Sequence, residues 1–148
     1  SRFVPHPPNF TSLIALSFYV PALLGRKYLP ALIFSFAITD FFIGFHSIIL
    51  FTWGSVIFIG LLSEYFKNNF TNRLIGSLTG AFIFYIVTNF GVWSLGSYGY
   101  TANGLIVCYI MALPFFTYSL LSTCIFSVII ETIYKFLSYK SLINKTKN

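Results

Sequence analysis

The chain has 148 residues, of which 57% are hydrophobic and only 8% charged. A soluble globular domain carries roughly 25% charged residues, so this composition excludes a water-facing fold, a disordered chain and a DNA-binding domain. The net charge of +6 does not point to nucleic acid, because the cations sit between or after apolar stretches, where topology signals belong.

The expected fold is an all-α, polytopic membrane helical bundle, a single transmembrane domain over residues 1–148. It has five spanning or partly spanning helices. Residues 1–10 include Pro5, Pro7 and Pro8 and read as an external loop, since proline is excluded from a helix interior. The first apolar run covers 11–24 and closes at Gly25-Arg26-Lys27. The second covers 28–45, with Pro30 in its first turn and Asp40 near its far end. A break at Gly44-Phe45-His46 leads into the third run, 47–63. A polar loop around Lys67–Arg73 precedes the fourth, 74–90, in which Gly76 and Gly80 give a spacing for close helix approach. Residues 91–104 hold four glycines, Trp93, Tyr98 and Tyr100 and read as a structured interfacial loop. The run 105–113 is too short to cross, and Pro114 is expected to break it or to start a new helix. The last span is 115–137, and a basic tail follows over 138–148. Cys108 and Cys124 lie in apolar sequence without a CxxC pair, so no disulfide framework is expected.

Placing Arg26-Lys27 in the cytoplasm puts every lysine and arginine except Arg2 on that side, and the C-terminus with them. The segment around His6, the turn at His46 and the Gly/Tyr/Trp loop then share the external face. Function is expected there.

Asp40 is an acid within a span, which is costly unless it faces protein or water. It reads either as a functional carboxylate or as a packing hydrogen bond, with His46 or His6 as a partner. His6 and His46 are candidates for binding a ligand group, a metal or a proton. Asn9 and Asn89 stand at outer ends of apolar runs, as helix caps or as readers of a polar ligand. Trp93 and Tyr98, with Tyr100, form either an interfacial belt or a lid that stacks on a ring. Glu131 and Lys135, four apart, are read as an ion pair. No nucleophile elbow, zinc-helix motif or phosphate loop is present. The chain is therefore not expected to be an enzyme or to hold a cofactor or a metal.

The strings RFVPHPPNFTSLIAL, GRKYLPALIFSFAITDFFIGFH, TNFGVW and GLIVCYIMALPFF resemble a family of small uncharacterised bacterial membrane proteins. More distantly, a short helix, a Gly-basic turn and a helix ending in Asp then Gly resemble the S-components of energy-coupling-factor vitamin transporters. That resemblance implies a bacterial inner membrane, six helices (one preceding Ser1), an external ligand pocket closed by loops, and a separate coupling transmembrane subunit with ATPases.

The expected function is capture of a vitamin-like small molecule by His6, Asn9, Asp40, His46, Asn89, Trp93 and Tyr98. In that arrangement Trp93 and Tyr98 face His6 or Asn9 across one cavity, with Asp40 near its floor. The alternatives are an accessory structural subunit of a larger membrane complex, and metal or proton translocation through Asp40 and the histidines. The expected partners are the lipid bilayer and a small-molecule substrate, and no nucleic acid. In a background with Cys108 and Cys124 replaced by alanine, Ser97→Cys should react with an impermeant thiol reagent in intact cells and Asn68→Cys should not. Labelling of position 68 from outside would reverse the topology.

Overall fold

A computed structural model describes residues 2–3 and 5–146, with side chains described to residue 140. The side chains of the basic tail from residue 141, and all of residues 147–148, lie outside the described residues. Five helices follow in order: α1 Leu13–Leu24, α2 Leu29–Ile43, α3 Ile49–Leu62, α4 Phe70–Ser94 and α5 Ala102–Thr146. No strand occurs among the described residues. Three stretches, Ile49–Phe66, Phe70–Ser94 and Ala102–Lys140, are long and apolar enough to cross a membrane. Helix α1, at 12 residues, is shorter.

Helix α1 is apolar all round, as befits a helix enclosed by others. It packs against all four of the other helices, and Ala15, Phe18 and Tyr19 are fully buried. Helices α4 and α5 form the longest pairing. Between lipid-facing helices, close packing replaces the hydrophobic effect as the main attraction, so small residues mark the contacts. A Cβ on Gly76 would lie 2.5 Å from the Phe18 ring, and one on Gly80 would lie 2.9 Å from Ile59. These two glycines let α4 close on α1 and α3.

Two expectations about the last third of the chain are corrected. Residues 91–94 are helical, so the connection before α5 is only the short segment 95–101. Gly91 is absorbed into α4 because Phe51 packs directly over it, and a Cβ there would lie 2.6 Å from that ring. Residues 105–113 are part of α5, which runs through Pro114 without a break. Within a bundle, neighbouring helices and hydroxyls compensate for the missing proline N–H. The carbonyl that loses its donor is that of Ile110, one turn before the proline, and the Thr117 hydroxyl makes a separate bond within the helix, to the Leu113 carbonyl at 3.2 Å. At about 1.5 Å per residue the apolar part of α5 is roughly 58 Å long, well beyond a hydrocarbon core of about 30 Å. Helix α4 also begins earlier than the apolar run implies, because Asn69 caps it: its side-chain oxygen accepts from the Asn72 N–H at 2.8 Å.

Candidate functional site

The N-terminal segment, the end of α2, the turn before α3, the end of α4 and the start of α5 meet at one end of the bundle. They enclose a partly open cavity of about 540 Å³. His6, Asn9, His46, Asn89 and Tyr98 line it. These five come from four separate places in the chain, brought together by the antiparallel run of the helices.

The polar groups on the wall are held by local bonds that leave specific atoms free. His6 Nδ1 meets the Pro7 carbonyl at 2.8 Å. His46 Nε2 meets Thr52 Oγ1 at 3.0 Å. Each imidazole thus has one ring nitrogen engaged and one remaining. The Asn89 amide NH2 donates to the Tyr85 carbonyl at 2.8 Å, which leaves its oxygen as an acceptor. Neither asparagine caps a helix by its side chain. Asn9 instead takes a positive φ of 62°, which turns the chain into α1.

The α4–α5 wall is stitched by reciprocal bonds. Tyr85 Oη donates to the Tyr109 carbonyl and Tyr109 Oη to the Ile86 carbonyl, each at 2.7 Å. The two rings meet edge to face at 5.5 Å, and Tyr85 also packs on Phe116 at 4.6 Å. Phe84, Val92, Ala112 and Phe115 add apolar lining. At the start of α5, Gly104 draws the 95–101 connection against the helix: a Cβ there would lie 2.2 Å from the Tyr98 carbonyl oxygen. That contact sets where Tyr98 stands.

Two expected members stand elsewhere. Asp40 is buried but does not line the cavity, and it bonds neither histidine. One carboxylate oxygen pairs with Arg2 and the other accepts from Trp53 Nε1 at 2.7 Å. Arg2 also donates to Thr39 Oγ1. The carboxylate is thus satisfied by a cation from the N-terminal segment and an indole from α3, neither of which the sequence marked as its partner. Trp93 is not on the cavity wall either. It packs on Phe90 at 5.6 Å, and its N–H reaches the Thr101 carbonyl at 3.3 Å, so it braces the connection that carries Tyr98. The expected Glu131–Lys135 pair is also replaced. Glu131 takes a two-pronged bond from Arg73, and Lys135 lies over the Phe70 ring at 5.6 Å. A guanidinium matches a carboxylate in two places, whereas an ammonium offers a point charge.

Sequence comparison decides the family. The chain belongs to DUF6580, a family of unknown function whose profile matches residues 1–145. No curated protein and no solved structure matches it.

Removing Asp40 strands a partly buried guanidinium and the Trp53 N–H together. Asp40→Ala should cost about 3 kcal/mol, the lower end for breaking a buried pair. Thr39→Val, which loses one hydrogen bond to Arg2, should cost about 1 kcal/mol. Equilibrium unfolding in detergent, followed by tryptophan fluorescence, measures both. Equal losses would mean that the ion pair contributes nothing.

Proposed function

We propose that the chain is a membrane substrate-capture protein that takes a vitamin-like small molecule into the cavity from the external side. The observation that carries this reading is the cavity itself. Its volume lies within the roughly 300–1,000 Å³ of small-molecule sites, and its wall combines apolar surface with a few convergent polar groups, as such sites do. His6, His46, Asn89 and Tyr98 read the ligand's polar groups. Phe84, Phe115 and Phe116 hold its apolar body.

The charge balance narrows the ligand class. The chain has three carboxylates, and each is engaged by a basic side chain: Asp40 by Arg2, Glu64 by Arg26 and Lys67, and Glu131 by Arg73. None of the three lines the cavity. A cation bound there would be desolvated without a counter-charge, so the favoured ligand is neutral or weakly acidic. In this reading the chain is not an enzyme, sits in the bacterial inner membrane with a cytoplasmic C-terminus, and hands its ligand on with the help of a separate coupling subunit.

A second reading, an accessory subunit of a membrane complex, draws on an exposed apolar groove formed by Phe34, Phe41, Phe42, Phe45 and Trp53. It gives no account of the polar-lined cavity.

Native mass spectrometry of protein purified from cells grown in rich medium tests the capture reading. Wild type should release a non-lipid molecule of a few hundred daltons. Ala112→Trp, which fills the cavity from α5, should release none while eluting and melting as a folded protein. A wild type carrying only phospholipid, or an Ala112→Trp variant carrying the same molecule, would overturn the reading.

A further inference from the structure

The polar interior continues below the cavity. Ser119, on the cavity wall, begins a buried stripe on α5 that continues through Ser122, Thr123, Ser127 and Glu131. From Ser119 to Glu131 the helix rises about 18 Å, more than half of a hydrocarbon core of about 30 Å. At the upper end Ser122 Oγ reaches the Asn9 carbonyl at 3.5 Å. In the middle Ser127 Oγ lies 3.1 Å from Ser77 Oγ of α4. At the lower end Arg73 holds Glu131 and donates to the Lys67 carbonyl at 2.8 Å, just outside α4.

Two buried hydroxyls, one in this stripe and one facing it from α1, have no hydrogen-bond partner. Ser119, Thr117 and Thr132 on the same helix each donate to the carbonyl one turn back. Thr123 is completely buried, and its Oγ1 has no partner. Tyr19, from α1, is 1% exposed, and its Oη stands beside Ser77 and Ser127 without a hydrogen bond of ordinary geometry. A buried hydroxyl without a partner costs about 1–3 kcal/mol, and proteins meet that cost with an internal water bonded to two to four polar groups. Thr123 stands one turn from Ser119 and one from Ser127, about 6 Å along the axis each way. One water spans such a gap.

We propose that waters held by Thr123 and Tyr19 complete a proton path from the cavity to the Arg73–Glu131 pair, giving the chain a proton-conducting activity. Each oxygen along the path accepts a proton from the cavity side and releases one towards Glu131, so every hydroxyl and water is regenerated and one positive charge moves. The Glu131 carboxylate takes the proton and becomes neutral, which frees Arg73 to the Lys67 carbonyl. Loss of the proton on the far side re-forms the pair. The groups facing Glu131 are Arg73 from α4 and Tyr19 from α1, with Tyr134 and Lys135 one turn further along α5. Asp40 has no part in this path, which needs no ligand in the cavity and therefore stands or falls separately from the capture reading.

The test is proton entry into proteoliposomes under an inside-negative potassium diffusion potential, read with an internal pH dye. Wild type should acidify the lumen at least tenfold faster than protein-free vesicles. Thr123→Val and Tyr19→Phe should each slow this at least fivefold, and Thr132→Val, which alters an exposed hydroxyl, should not. Both test variants should also melt below wild type, because each loses a bound water. A wild-type rate equal to that of empty vesicles would overturn the proposal, as would a Thr123→Val rate equal to wild type. Higher melting points in both variants would do the same, since removing hydroxyls from a dry interior relieves a cost.

Discussion

A charge in hydrocarbon has no water to fall back on, and this constraint organises the molecule. Two of its three carboxylates lie almost wholly inside the bundle, and each is met by an arginine. Arg2–Asp40 ties the N-terminal segment to α2 at the cavity end. Arg73–Glu131 ties α4 to α5 towards the other. The third, Glu64, is half exposed beside Arg26 and Lys67, and such a surface pair contributes little. Breaking either buried pair leaves a charge stranded, which is why two bonds can hold the register of helices that otherwise meet through apolar side chains.

The cavity follows from the first of these pairs. The segment carrying His6 and Asn9 has no secondary structure of its own, so its position depends on what anchors its ends. Arg2 anchors one end through Asp40 and Thr39, and the entry into α1 anchors the other. The far wall is set by the interlocked Tyr85 and Tyr109 and by the contact between Gly104 and the Tyr98 carbonyl. Each of the three carboxylates meets a basic side chain and none lines the cavity, so its wall carries no carboxylate.

Much of this was legible in the sequence. Composition and the apolar runs gave an all-helical membrane bundle, and five of the seven candidate residues line one cavity. What escaped were long-range partners. Asp40 meets Arg2 and Trp53 across the bundle, and no local spacing announces that. Glu131 had a plausible partner one turn away in Lys135, but packing brought it a guanidinium that fits better. Gly91 and Pro114 read as breaks because both disfavour isolated helices. In the bundle, Phe51 needs the space over Gly91, and Pro114 is carried within a helix whose neighbours tolerate it. The stripe from Ser119 to Glu131 was hidden for a related reason: serine and threonine are common in membrane helices, and only burial and the lack of a partner at Thr123 set them apart.

The central claim is that a small molecule occupies the cavity enclosed by the N-terminal segment, α4 and α5. The most direct measurement is an experimental structure of the wild-type protein purified from its membrane without added ligand. The account predicts density for a compact, non-lipid molecule bonded to Asn89, Tyr98 or one of the two imidazoles, with no cationic group facing the wall. A cavity filled by a lipid acyl chain, or closed by side chains with no room for a ligand, would contradict it.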